Sequence, residues 1–430
     1  MTASTASSPP TFKDWYRSGV AGMASYLDSA ATVSTGIALV LYKKAFGFSG
    51  WHLGILSSIL TFGVAAGALV GGRLGDRFGR KRVFSVTMVL LAVGALILCL
   101  APGLAALYAG VPVLGFAIGA DLPVSLALIA EEAPDGARGK LLGLSEVLWY
   151  VGILASQLTG VIVGGFGASG ARYIYAHIVI VAVVVLILRA RIPESRRWQE
   201  QFEAHAQQAG GPGSTVAALQ QLVSRRFVLP FVGLALFYLL TNVAANTKGQ
   251  FGTHMYVEVA GSTVRVASAI GMGCQVVGIV AGFAFMRIVD GSLRRRWYAI
   301  GSLCFIAYFG VPAVFGVSVL TLALGNLIGA VGIAFAFEGI YKVWVQEKFP
   351  TLLRSTAQGA TFGIARIGAG VVAIWTPALL AGGPQVFFAT LAAMVFVAAI
   401  IGFFVERAPL AVDPEPGGVA GTPPTEMVSS

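Results

Sequence analysis

Apolar residues run along this chain in long blocks, not in the short alternation of a half-buried strand. The runs 83–101 and 386–405 contain no charged residue at all. A helix needs about 20 mostly apolar residues to cross about 30 Å of hydrocarbon. By that criterion the pattern predicts twelve spans, near 18–42, 51–72, 83–102, 105–130, 139–166, 174–190, 227–250, 263–288, 298–316, 319–346, 355–379 and 385–405. Strands of a membrane barrel would instead alternate over about ten residues. The expected fold class is therefore an all-α membrane protein with twelve transmembrane helices. The first run lies too late, and is too polar around Asp28, for a cleaved signal peptide.

Composition sharpens this picture. Of 430 residues 57% are apolar and only 11% charged, against about 25% charged in soluble domains. Charges this sparse cannot cover a water-facing surface, which excludes a soluble enzyme or nucleic-acid binder. The net charge of +10 follows from topology. With both termini inside, 22 of the 29 Lys and Arg fall at cytoplasmic ends and loops, four outside, and three (Lys248, Lys342, Arg366) within spans. That asymmetry is the positive-inside bias. It predicts a multi-pass protein of the plasma or inner membrane, in contact with lipid and with no nucleic-acid partner. Cys99, Cys274 and Cys304 lie in separate apolar runs, and the four histidines are scattered. Neither set has metal-ligand spacing, so no metal or cofactor is expected.

The chain also repeats itself at half its length. Asp76 is followed at +4 and +5 by Arg80 and Lys81, and Asp290 by Arg294 and Arg295, a shift of 214. Glu131-x-x-Pro134-x-x-x-Arg138 recurs as Glu347-x-x-Pro350-x-x-x-Arg354, a shift of 216. Common order and loop position point to two six-helix bundles related by an axis along the membrane normal. The expected organisation is a cytoplasmic tail (1–17), a first bundle (18–192), a polar linker (193–226), a second bundle (227–407) and a disordered tail (408–430).

The run GRLGDRFGRKR at 72–82 resembles the loop between spans two and three of the major facilitator superfamily. GADLPVSLALIAEEAP at 119–134 with Arg138, PESRRW at 193–198 and FPTLLRSTAQG at 349–359 resemble its sugar-porter and metabolite:proton symporter branches. ASYLDSAATVSTGIALVLY at 24–42 looks most like bacterial inositol transporters. The resemblance covers about 18–407, all twelve spans, and implies the major facilitator fold. Two features depart from the branch: Tyr108 stands where an Arg is usual early in span four, and span seven lacks the glutamine-rich sugar signature.

The loop motifs predict a gate. Gly72, Gly75 and Gly79 permit close helix ends, while Asp76 is placed to cap a neighbouring helix end or to pair with Arg80 beside Arg77. Asp290 with Arg294 repeats the arrangement. Glu131 with Arg138, and Glu347 with Arg354, read as further gate charges, together latching the two bundles on the cytoplasmic side. Positive-inside placement alone would also explain the cations, but not the repeated spacing.

Ionisable residues inside a span cost about 2.5–3.5 kcal/mol at the bilayer centre and imply function by default. Asp28, Asp121, Glu146, Glu338, Lys342 and Arg366 all count to a similar depth at about 1.5 Å per residue, which predicts one shared cavity. Glu338 and Lys342, at i and i+4, are expected to pair. Glu146, Tyr150 and Gln157 on span five, Tyr238, Asn242 and Asn246 on span seven, and Glu338, Tyr341 and Trp344 on span ten are expected to bind substrate. Amides bind hydroxyls and aromatic faces stack on sugar C–H groups, although ordinary helix packing accounts for any one aromatic equally well. A carboxylate left without a cation takes up a proton. The resemblance implies an acidic residue in span one for that role, which makes Asp28 the first candidate, Arg366 its partner and Asp121 the second.

The leading expectation is proton-coupled import of a sugar or polyol, such as an inositol, by alternating access in a monomer. Three readings stay open beside it: an organic-acid:proton symporter with Arg366 on the carboxylate, a drug/proton antiporter, and a transporter-like nutrient sensor. An enzyme is not expected.

Overall fold

The computed structural model describes residues 11–132, 134, 138–192, 194, 222, 224, 227–289, 291–349 and 351–408, without the side chains of 72, 73, 76, 77, 130, 138–140, 142, 346 and 351–356. Its helices are α1 (Phe12–Phe46), α2 (Gly50–Phe78), α3 (Arg80–Cys99), α4 (Leu104–Glu132), α5 (Arg138–Val163), α6 (Ala168–Ala190), α7 (Val228–His254), α8 (Val264–Ile288), α9 (Arg294–Phe315), α10a (Val319–Ala336), α10b (Glu338–Lys348), α11 (Thr351–Gly382) and α12 (Pro384–Arg407). Among the described residues twelve segments are long and apolar enough to cross a membrane, and they form two six-helix bundles. An even number of crossings puts residues 12 and 407 on one face, hereafter the terminal face.

Helix ends follow local chemistry. Thr11 and Asp14 form a capping box at the start of α1, with the Thr11 N–H donating to Asp14 Oδ2 at 2.8 Å. Gly79 separates α2 from α3 at φ 96°, a conformation that side chains with a Cβ rarely adopt. The first span is longer than the apolar run predicts, because the polar turns at 12–17 stay helical outside the apolar block. The tenth span differs more. It breaks at Phe337 (φ −128°, ψ −119°), which places Glu338 in the first turn of α10b, where the helix dipole favours a carboxylate.

Within each bundle, ion pairs fasten the terminal face. Arg80 Nη2 holds Glu131 Oε1 at 2.9 Å. At the repeat-related position Arg294 holds Glu347 at 2.6 Å and Glu406 at 2.8 Å. The Lys81 N–H at the start of α3 donates to the Glu194 carboxylate at 3.1 Å. The Arg80 pair joins α3 to α4, and the Arg294 pairs join α9 to α10b and α12, each within one bundle. Glu131 and Glu347 accordingly face Arg80 and Arg294. The Arg138, Arg354, Asp76 and Arg77 side chains, together with Asp290, lie outside the described residues, as do Gly72's surroundings and most of 193–226.

Between bundles, contact is closest away from the terminal face. Ser58 Oγ on α2 donates to the Gly370 carbonyl on α11 at 2.7 Å, and Trp51 meets Trp375 edge-on at 5.3 Å. Gly54 packs on the α11 backbone and Gly36 of α1 on that of Gln250 in α7, positions where a Cβ has no room. Gln250 Nε2 donates to Thr61 at 2.7 Å, and Lys43 pairs with Glu258 at 2.9 Å. Toward the terminal face, Lys342 of α10b reaches Glu146 of α5 at 2.8 Å. The access path is thus sealed on the face opposite the termini.

Candidate functional site

Between these seals lies a cavity of about 140 Å³, room for about ten waters at 10–15 Å³ each. Both bundles line it. Helices α1 and α5 contribute Asp28, Ser29, Thr32, Trp149, Tyr150 and Gln157. From the second bundle come Asn242, Asn246, Lys248, Gln275, Asn326, Glu338 and Arg366. Helix α1 reaches the centre because it is buried along nearly its whole membrane length.

Asp28 is 5% exposed. Its Oδ2 accepts the Trp149 indole N–H at 3.2 Å, and among the described residues no cation stands within ion-pair distance. Arg366 is the cation nearest in effect, with Glu338 and Lys342 also within reach of its charge. The Arg366 guanidinium lies 5.0 Å from the Phe362 ring centroid, and its Nε has no hydrogen-bond partner among the described residues. Lys342 stands between two carboxylates, Glu146 at 2.8 Å and Glu338 at 2.9 Å. Asn242 Oδ1 and Gln157 Oε1 are buried without partners among the described residues. Buried amides in that condition are costly, so a hydroxyl-bearing solute gains by supplying the missing bonds. Asn246 Oδ1 already accepts from Gln250 at 3.0 Å.

Several expected site residues lie elsewhere. Asp121 is not in the cavity. It is 1% exposed inside the first bundle, gripped by Arg189 through Nη1–Oδ1 at 2.6 Å and Nη2–Oδ2 at 3.0 Å, with Thr87 donating at 2.9 Å. Asp121 is thus engaged inside its own bundle, away from the cavity where Asp28 stands. Arg189, placed by the sequence at a cytoplasmic end, is itself 1% exposed and stacks 3.2 Å over Phe84. Tyr238, Tyr341 and Trp344 are also outside the cavity lining. Tyr238 stacks on Tyr341 with ring centroids 3.9 Å apart, and the Tyr341 hydroxyl meets Thr361 at 2.6 Å. Trp344 packs edge-on to Phe237 and Tyr298 and donates its indole N–H to Glu406. Glu146 is also outside the cavity lining and is engaged by Lys342.

Lys248, Trp149, Gln275 and Asn326 are cavity residues that sequence reasoning passed over. A polar residue in an otherwise apolar run was the available signal for each. With Lys248 counted and Asp121 paired off, the charged residues lining the cavity are two acids (Asp28, Glu338) and two bases (Lys248, Arg366), with the Glu146–Lys342 pair joined to Glu338 outside the lining.

Comparison with known proteins places this architecture. The family profile described as "Major Facilitator Superfamily" matches residues 19–373. The minor myo-inositol transporter IolF of Bacillus subtilis (strain 168) is 29% identical over 372 residues, covering 85% of this chain and 84% of its own. Among solved structures, the inward open conformation of the xylose transporter XylE from E. coli superposes with TM-score 0.74 at 20% identity, over 93% of this chain and 97% of that one. The crystal structure of a D-xylose-proton symporter gives TM-score 0.74 at 18% identity, over 90% and 96%.

Proposed function

The chain belongs to the major facilitator superfamily, a transporter and not an enzyme, and we propose that it imports a sugar or polyol, such as an inositol, together with a proton. The observation that carries this reading is the cavity's division of labour. Unpartnered amides from both bundles offer bonds for hydroxyls, while Asp28 stands nearby without a contacting cation. The likeness to a myo-inositol transporter supports the polyol class.

In this mechanism the solute bridges Gln157 of one bundle and Asn242 of the other, so its binding favours the state in which the two close together. Asp28 takes a proton from the outer side. As a neutral acid it spares the carrier a bare mid-membrane charge during reorientation. When the terminal face opens to the cytoplasm, water reaches Asp28 beside Arg366 and the proton leaves. The Lys342 bridge between Glu146 and Glu338 is the thin barrier on that side. Both termini and the linker are cytoplasmic in this orientation, in the plasma or inner membrane, and one chain suffices.

Uptake of labelled sugars, inositols and aromatic acids into proteoliposomes under an imposed pH gradient tests the reading. It predicts gradient-driven accumulation of a polyhydroxy solute. Transport confined to apolar drugs, or accumulation insensitive to the pH gradient, would contradict it.

A further inference from the structure

One cavity cation has no part in that mechanism. Lys248 stands on α7 six residues beyond Asn242, which is about 9 Å further toward the sealed face at 1.5 Å per residue. Its Nζ lies 5.6 Å from the centroid of the Tyr308 ring. Among the described residues no carboxylate is within ion-pair distance, and the Cys274 thiol is the titratable neighbour close enough to act on its charge. The acids lining the cavity are engaged elsewhere: Glu338 by Lys342, Asp28 with Trp149 in the field of Arg366. A lysine within a span costs about 2.5–3.5 kcal/mol and characteristically pairs, whereas a cation over a ring gains only about 0.5–2 kcal/mol. The protein supplies half of an ion pair here, and the other half has to enter.

The neighbouring wall contains Asn246, Gln275 and Asn326, all neutral hydrogen-bonding groups. We propose that the solute is a polyhydroxy acid of the sugar-acid class, its carboxylate on Lys248 Nζ and its hydroxyls on Asn242, Gln157 and Gln275. This rests on the polyol-transport reading and narrows it. It also balances the cavity: one carboxylate neutralises Lys248 as one proton neutralises Asp28.

Equilibrium binding to the full-length protein in detergent, with labelled glucuronate, galacturonate and gluconate against glucose, galactose and myo-inositol, tests the assignment without depending on proton coupling. The acids should bind at least about tenfold tighter than the neutral compounds, the scale of one charge-assisted hydrogen bond. Lys248→Gln should collapse that acid-to-neutral ratio, and Lys248→Arg, which keeps the charge, should restore most of it and serve as the folded control. Neutral compounds binding as well as the acids, or a ratio that Lys248→Gln leaves unchanged, overturns the inference and spares the polyol reading. Binding by benzoate equal to that of the sugar acids overturns the hydroxyl contacts. No binding by any polyol, neutral or acidic, overturns both readings.

Discussion

The two bundles share a repeat but solidify their terminal-face halves with different materials. In the first, Asp121 and Arg189 form a dry ion pair over Phe84, completed by Thr87 and Ser125. The repeat shifts of 214 and 216 carry Phe84 to Tyr298, Thr87 to Gly301, Asp121 to Phe337 and Ser125 to Tyr341. There the second bundle has an aromatic cluster, with Tyr238, Tyr341, Trp344, Phe237 and Tyr298 all at most 2% exposed. An ion pair buried in this way is rigid in one geometry, since either charge alone would be stranded. Aromatic packing is held by area and shape and leaves no charge at risk when helices shift. The break at Phe337 lies on the aromatic side, next to the Glu338–Lys342–Glu146 bridge. The second bundle is therefore the one built to rearrange, against a first bundle locked around Asp121.

That contrast can be broken from either side. The largest effect is expected from Arg189→Met, which strands Asp121 and should cost about 3–5 kcal/mol. Thermal unfolding in detergent would read it, and adding Asp121→Leu should recover most of the loss. Purely additive losses in that pair would mean that the lock is not a unit. Trp344→Phe keeps most of the packing but removes the indole donor to Glu406, so about 1–3 kcal/mol is expected. No change there would show that area alone holds the aromatic half. The smallest effect belongs to Glu146→Gln. Its side chain and that of Lys342 are 39% and 41% exposed, so solvent screening leaves at most about 1 kcal/mol of stability. The same substitution should nonetheless speed thiol labelling of a cysteine placed at Tyr150 from the terminal face, because it removes a tie across the bundles. Unchanged labelling would deny the bridge a gating role.

Much of this was legible in the sequence. Sparse charge and block-like hydropathy determine a membrane-spanning helical protein whatever the side-chain detail. The repeated Asp-x-x-x-Arg and Glu-x-x-Pro-x-x-x-Arg spacings expose the two bundles, because loop chemistry is local and survives in one dimension. The site was harder. Asp28, Glu338 and Arg366 were identifiable as ionisable residues at similar depth, and Gln157, Asn242 and Asn246 as polar residues at helical spacing, and all six line one cavity. Depth does not give azimuth, however. Asp121 sits at a similar depth but faces inward to Arg189, which is 68 residues away and looks like a loop cation from sequence. Tyr341 and Trp344 sit near Glu338 on the same span yet face the packing side, since hydrophobic periodicity is silent when every face of a helix is apolar. Glu146 and Lys342 are 196 residues apart, and only the fold reveals that they meet.

The central claim is that Asp28 ties reorientation to a proton while the neutral amides hold the solute. Asp28→Asn is the direct test, read in proteoliposomes as accumulation under a pH gradient beside solute exchange at equal pH. The amide spares the carrier a bare charge in every state, so exchange should persist in part while uphill accumulation disappears. An Asp28→Asn protein that still concentrates its solute under the gradient would contradict the account.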